Sequence, residues 1–162
     1  VDAEESEGYL VAGLERLSEV ARETGVLIGV EAADFFLPVD RFILLEDLAL
    51  PGLGITVDTG HISWVVEGRA TCAPFATPGR FVERFGSLVR HVHIHDYDGE
   101  RDHLPIGRGS IDFAELLGAL ARIGYEGALS LEINSAIAGP EDVLESKAAL
   151  ERVLTEVDAG AP

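Results

Sequence analysis

Val26-Leu27-Ile28-Gly29-Val30-Glu31 is an apolar run too short for a helix, bounded by Gly25 and stopped by a carboxylate. A continuous apolar run of that length is what a strand buried on both faces looks like. The pattern returns three times: Gly54-Ile55-Thr56-Val57 ends in Asp58, Leu88 to Ile94 carries His91 and His93, and Ala128-Leu129-Ser130-Leu131 ends in Glu132. Helical signals fill the intervals. Leu10, Leu14, Leu17 and Val20 predict a first helix over Gly8 to Thr24, and further helices follow over Val39 to Leu50 and Arg80 to Ser87. Asp112-Phe113-Ala114-Glu115 has the spacing of a capping box and opens a helix running to Ile123. Pro140 suits the first turn of a last helix over Glu141 to Val157. An N-terminal helix followed by four strand–helix units predicts an α/β fold with a parallel sheet. No Pro-, Ser- or Gly-rich linker divides residues 1–162, so a single domain is expected.

Composition narrows the function classes. The chain carries 29 acidic against 12 basic residues, a formal charge of −17, which disfavours phosphate backbones and anionic membrane surfaces as partners. With 47% apolar residues it can bury a sizeable core. A single cysteine, Cys72, suits a reducing compartment. The acidic start Val1-Asp2-Ala3-Glu4-Glu5 is the reverse of a secretory signal, and no stretch approaches the roughly 18 apolar residues of a membrane span, so a cytoplasmic location is expected. Lys147 is the only lysine and falls in the last predicted helix, which leaves Schiff-base chemistry without a candidate. No serine or cysteine stands in a nucleophile-elbow context.

What remains is the set of residues at the strand ends: Glu31, Asp58, His93 and Glu132, separated by 27, 35 and 39 positions, about one βα unit each. In parallel α/β structures the C-terminal strand ends form the ligand-binding rim, so side chains distant in sequence converge there. A lone acid past a strand is ordinarily a helix cap or a solvated loop residue. An ordered set of four reads instead as a metal centre. Three carboxylates and one imidazole suit Mn²⁺, Mg²⁺ or Co²⁺, with Zn²⁺ a further candidate. His91, His93 and His95 alternate, which on a strand turns all three to one face. His61, in Asp58-Thr59-Gly60-His61, could take a second metal or donate to a substrate oxygen. His103 lies in the loop Asp102-His103-Leu104-Pro105-Ile106-Gly107-Arg108-Gly109, whose glycines permit close approach to a ligand and whose Arg108, or Arg101 before it, could meet an anionic substrate.

Several of these stretches, in this order and spacing, resemble the xylose isomerase-like TIM-barrel superfamily, in particular its sugar phosphate isomerases and epimerases. They are Ile28-Gly29-Val30-Glu31, Val57-Asp58-Thr59-Gly60-His61, His91-Val92-His93-Ile94-His95-Asp96, Asp102 to Phe113, Ile123-Gly124-Tyr125-Glu126-Gly127 and Leu129-Ser130-Leu131-Glu132. The resemblance implies that Glu31, Asp58, His93 and Glu132 bind one divalent metal. It also implies that Glu31 and Glu132 act as the base and acid flanking the reacting carbon, and that His61 holds substrate. His95, His103 and Arg108 join His61 as expected substrate-binding residues. The family barrel has eight strand–helix units over about 250 residues, of which only the last four are recognisable here. The expected architecture is therefore a partial (β/α)8 barrel, a half-barrel apparently truncated at its N-terminus. Its open sheet edges predict self-association of the isolated chain.

The expected activity is metal-dependent isomerisation or epimerisation of a sugar or sugar phosphate, by proton abstraction through an enediolate. Three alternatives stay open: an inosose dehydratase-type lyase on the same site, a noncatalytic fragment of a longer enzyme, and a type IV apurinic endonuclease. The last is disfavoured by the acidic charge and by Arg101 standing where that enzyme would place a loop acid.

Overall fold

The computed structural model describes residues 3–31, 39–66, 69–70, 72–75 and 77–160. Helix α1 (Ala3–Thr24) leads into strand β1 (Ile28–Glu31), then α2 (Val39–Leu48), β2 (Leu53–Asp58) and the short helix α3 (Thr59–Ser63). A two-stranded ribbon follows, β3 (Val65–Val66) antiparallel to β4 (Arg69–Ala70). Next come α4 (Pro78–Phe85), a 3₁₀ turn over Gly86–Leu88, β5 (Val89–Ile94), α5 (Phe113–Arg122), β6 (Leu129–Leu131) and α6 (Pro140–Gly160). The main sheet has the order β1-β2-β5-β6, and every pairing in it is parallel. This is the parallel α/β sheet that the alternating runs predict, in the four-unit half-barrel form that the resemblance implies.

The strands differ in burial with their place and their residues, and inner β5 is half-buried at Arg90, His91 and His93. β2, flanked on both sides, is buried along its whole length, whereas the outer strands β1 and β6 are half-buried. The expectation of burial on both faces is thus met by β2 and not by β1. Val26 and Leu27 lie ahead of β1 and are exposed. On one sheet face, Ile55, Val57, Val92 and Ile94 join Phe42, Phe81, Phe85 and Leu116 of α2, α4 and α5 in one hydrophobic core. Its aromatic centre is tight, with Phe42 and Phe81 edge to face at 4.8 Å and Phe81 and Phe85 at 4.9 Å. A two-pronged ion pair between Arg84 and Glu46, at 2.9 and 2.7 Å, bridges α4 to α2 above it.

The opposite sheet face is polar. The register pairs Glu31 with Thr56, Asp58 with His93, and His93 with Ser130. Residues paired across parallel strands point the same way, so these side chains share that face. Gly29 leaves room there for the Thr56 hydroxyl, which a Cβ would meet at 2.2 Å. Ser130 Oγ lies 2.9 Å from His91 Nε2, and the His91 and His93 rings stand edge to face at 5.2 Å. The alternation of His91 and His93 thus builds a polar column leading to the C-terminal rim.

Two local differences from the sequence expectations, and one agreement, have physical causes. α4 begins at Pro78, because Thr77 caps it by accepting the Arg80 N–H and Pro78 is preorganised for a first turn. α5 starts on its expected cap, with Asp112 accepting the Glu115 N–H at 2.9 Å. His61 sits in α3, a helix beyond those expected, which Asp58 caps by accepting the His61 N–H at 2.8 Å. Among the described residues no helix is long and apolar enough to cross a membrane.

Candidate metal centre and active site

Glu31, Asp58, His93 and Glu132 meet at the C-terminal ends of the four parallel strands, each offering a ligand atom within 4.8 Å of the others. His93 Nδ1 is the centre of the group. Glu132 Oε2 lies 2.8 Å from it, Glu31 Oε1 3.6 Å and Asp58 Oδ2 4.0 Å. Yet Nδ1 is buried and has no hydrogen-bond partner among the described residues. A buried polar atom left unsatisfied is costly, and three carboxylates gathered around it repel one another. A divalent cation removes both penalties, and this hard, mainly oxygen donor set fits one.

Asp58 has two tasks. Its Oδ1 accepts the His61 N–H at 2.8 Å and faces His95 Nε2 at 2.9 Å, while Oδ2 turns toward His93. Burial pushes the Asp58 carboxyl up. The hydrogen bond and charge of His95 and the His61 N–H outweigh burial and hold it below the ordinary carboxylate range. Burial likewise pulls the His95 imidazole down, and the hydrogen bond and charge of Asp58 raise it above its usual value.

His61 borders the cluster. Its Nδ1 is 3.4 Å from Asp58 Oδ1 and 3.7 Å from Glu31 Oε1, and its ring packs on Trp64 at 4.5 Å. Trp64 Nε1 donates to Asp102 Oδ2 at 3.1 Å, which fixes that carboxylate 4.0 Å from His61 Nε2. A second group, Asp58, His61, His95 and His103, is equally compact. Both ring nitrogens of His95, however, are already within hydrogen-bonding distance of protein partners.

The remaining expected residues fall elsewhere. His95, expected to contact substrate, is fully buried beneath Asp58. The half-buried His103 stacks on His95 with ring centroids 4.0 Å apart, and its Nδ1 is 3.1 Å from Asp102 Oδ1. Arg108 is engaged by Asp142 of α6, and Arg101 is held by Asp98 at 2.7 Å. The Gly107–Gly109 loop does approach a ligand closely, but that ligand is the buried carboxylate of Asp96. It accepts the N–H groups of Tyr97, Gly107, Gly109 and Ile111 at 2.9, 2.9, 2.8 and 3.2 Å. A Cβ on Gly109 would stand 2.4 Å from Asp96 Oδ1. Sequence reasoning passed over Asp96, Thr59, Trp64 and Asp102. The glycines spaced around 107–109 were the one signal for Asp96.

Comparison with known proteins accords with this geometry. The family model of the xylose isomerase-like TIM barrel matches residues 1–153. An uncharacterized protein of Methanocaldococcus jannaschii is 34% identical over 155 residues, which cover 90% of this chain and 48% of that protein. A ketose 3-epimerase of Arthrobacter globiformis is 30% identical over 80% of this chain and 43% of its own length. An inosose dehydratase of Lacticaseibacillus casei is 27% identical over 76% and 45%. The crystal structure of a D-tagatose 3-epimerase-like protein superposes with a TM-score of 0.72 at 31% identity, covering 91% of this chain and 54% of that one. The chain thus spans about half the length of the relatives it matches, and four parallel strand–helix units are the matching part of their barrel. The chain belongs to the xylose isomerase-like TIM-barrel family.

Proposed function

We propose that this chain carries the metal centre and the proton-transfer pair of a sugar epimerase that inverts a carbon next to a ketose carbonyl. The observation that carries the reading is the buried His93 Nδ1, without a hydrogen bond among the described residues, facing Glu31, Asp58 and Glu132. The ketose 3-epimerase and D-tagatose 3-epimerase-like relatives support it. In this reading Glu31, Asp58, His93 and Glu132 hold Mn²⁺, Mg²⁺ or Co²⁺, with Zn²⁺ the softer candidate. A divalent cation supplies Lewis-acid polarisation of carbonyl and hydroxyl oxygens, which lowers the cost of deprotonating the adjacent carbon.

The protein groups do the rest. Glu132 and Glu31 come from the two outer strands of the sheet and reach to 2.8 and 3.6 Å of His93 Nδ1, and in this reading they form the acid–base pair that takes a proton from one face and returns it to the other. His61, packed on Trp64, steadies the oxygen that gains charge. His103 orients the sugar hydroxyls from the neighbouring loop. With Arg101 and Arg108 occupied by Asp98 and Asp142, no arginine of this loop is committed to a phosphate, which favours a neutral sugar over a sugar phosphate.

The inosose dehydratase relative favours a second reading, a lyase that begins with the same proton abstraction and then expels a hydroxyl. The whole protein, loaded with Mn²⁺, is to be incubated in D₂O with D-tagatose, L-ribulose and D-psicose. Deuterium entering the carbon beside the carbonyl, with formation of the epimer, is the expected result. Dehydration of an inosose without ketose exchange selects the lyase. Absence of both reactions overturns the proposal.

A further inference from the structure

Beneath the cation cluster lies a buried group that proton transfer does not use. His95 follows β5 by one residue, and its side chain is fully buried. Its backbone is clamped twice by Thr59, whose hydroxyl donates to the His95 carbonyl at 2.6 Å and accepts the His95 N–H at 3.0 Å. Its ring is held at both ends. Nε2 reaches the two Asp58 oxygens at 2.9 and 3.1 Å, and Nδ1 receives the backbone N–H of His103 at 2.8 Å. The Asp96 carbonyl stands farther from Nδ1, at 3.3 Å. Nδ1 cannot both accept a proton and carry one, so the shorter contact assigns the ring proton to Nε2.

The surroundings are shaped to this ring. A Cβ on Gly60 would lie 2.2 Å from His95 Cε1, so the glycine of Asp58-Thr59-Gly60-His61 is the space the imidazole occupies. The His103 ring covers the other side, inclined by 11° to it. His103 itself has a φ of 53°, the left-handed region that side chains disfavour. It is held there by its N–H on His95 and by its carbonyl, which accepts the Asn134 N–H at 2.9 Å.

We propose that His95 is the positioning residue of the metal centre: as the Nε2–H tautomer it fixes the rotamer of Asp58 and, through Nδ1, sets the register of the loop bearing Asp102 and His103. This role rests on the reading of Glu31, Asp58, His93 and Glu132 as a cation site. Partners in the next layer of a metal site typically change affinity about 10–100-fold when removed.

The test separates the two ends of the ring. His95→Gln places an amide donor where Nε2 stands and gives up the acceptor for His103. His95→Asn keeps an acceptor near Nδ1 and gives up the donor to Asp58. Each variant loses one buried hydrogen bond, so the metal-free proteins are expected to melt at similar temperatures. Mn²⁺ affinity, read by titration with electron paramagnetic resonance, is expected to stay within about 3-fold for His95→Gln and to fall about 10–100-fold for His95→Asn. Equal affinities in the two variants, or affinities that simply follow melting temperature, overturn the role. The unmodified protein supplies an independent check by long-range ¹H–¹⁵N correlation. A proton on His95 Nε2 with Nδ1 bare is expected, and the reverse tautomer overturns the proposal whether or not the variants fold. If the unmodified protein binds no Mn²⁺, the cation site itself is refuted, a result distinct from the loss of the His95 role alone.

Discussion

Gly60→Ala probes the packing under the metal centre with a single methyl group. The new Cβ would stand 2.2 Å from His95 Cε1 and 2.9 Å from Nδ1, and ordinary contact begins near 3.4 Å, so the ring must retreat by about 1.2 Å. It has nowhere to go without loss, since His103 is stacked at 4.0 Å and Nε2 is anchored on Asp58 at 2.9 Å. Overpacking of this kind costs about 1–3 kcal/mol, and losing a buried hydrogen bond to a charged group about 1.5–3 kcal/mol. Alanine in place of glycine within α3 returns roughly 0.5–1 kcal/mol. The net is a destabilisation of about 2–5 kcal/mol, or roughly 4–20 °C in melting temperature for a chain of this size. Mn²⁺ affinity should fall about 10-fold, because Asp58 loses its support. The control is Gly13→Ala in α1, where a Cβ meets nothing within 4 Å among the described residues and a gain of roughly 0.5–1 kcal/mol is expected. Thermal unfolding with and without Mn²⁺ reads both variants. A Gly60→Ala protein with unchanged melting temperature and affinity would refute the packing argument.

Other perturbations address different parts of the account. Glu132→Gln keeps the side-chain shape but removes basicity, so ketose exchange in the whole protein should drop about 10²-fold or more, with weaker Mn²⁺ binding beside it; deuterium incorporation measures the first. Asp96→Asn leaves one acceptor oxygen for four N–H donors. A loss of about 2–4 kcal/mol is expected, with faster hydrogen exchange at the Gly107 and Gly109 amides. Asp98 is held at about 2 by the backbone N–H of Arg101, the Arg101 guanidinium and the Glu100 N–H. A depressed carboxyl stabilises the fold above its unfolded value near 4 and loses that contribution as pH falls toward 2. Asp98→Asn should therefore melt below the parent at pH 7, with the gap closing between about pH 4 and pH 2.

Much of the fold was legible because β1, β2 and β6 are short apolar runs followed by or ending in one carboxylate, and β5 carries its histidines at period two. Parallel neighbouring strands end at one rim, and for that reason Glu31, Asp58, His93 and Glu132 group together on the sequence alone. What could not be read depended on contacts across the chain. His93 and His95 share one period-2 pattern, yet β5 stops at Ile94, and His95 drops beneath Asp58 because Thr59 captures its backbone 36 residues away. Arg108 reads as a free cation until α6 brings Asp142 to it. α3 is five residues long and β3 and β4 two each, too short for any periodicity to declare them. Asp96 looks like a solvated turn residue, and only the folded loop shows four N–H groups closing on it.

The central claim is that one divalent cation sits among the four strand-end residues. The most direct measurement is a crystal structure of the Mn²⁺-loaded protein with an anomalous difference map collected for manganese. The account predicts one strong peak per chain, bounded by Glu31, Asp58, His93 and Glu132 at about 2.0–2.4 Å. A peak between His61, Asp102 and His103 instead, or no ordered peak at saturating Mn²⁺, would contradict it.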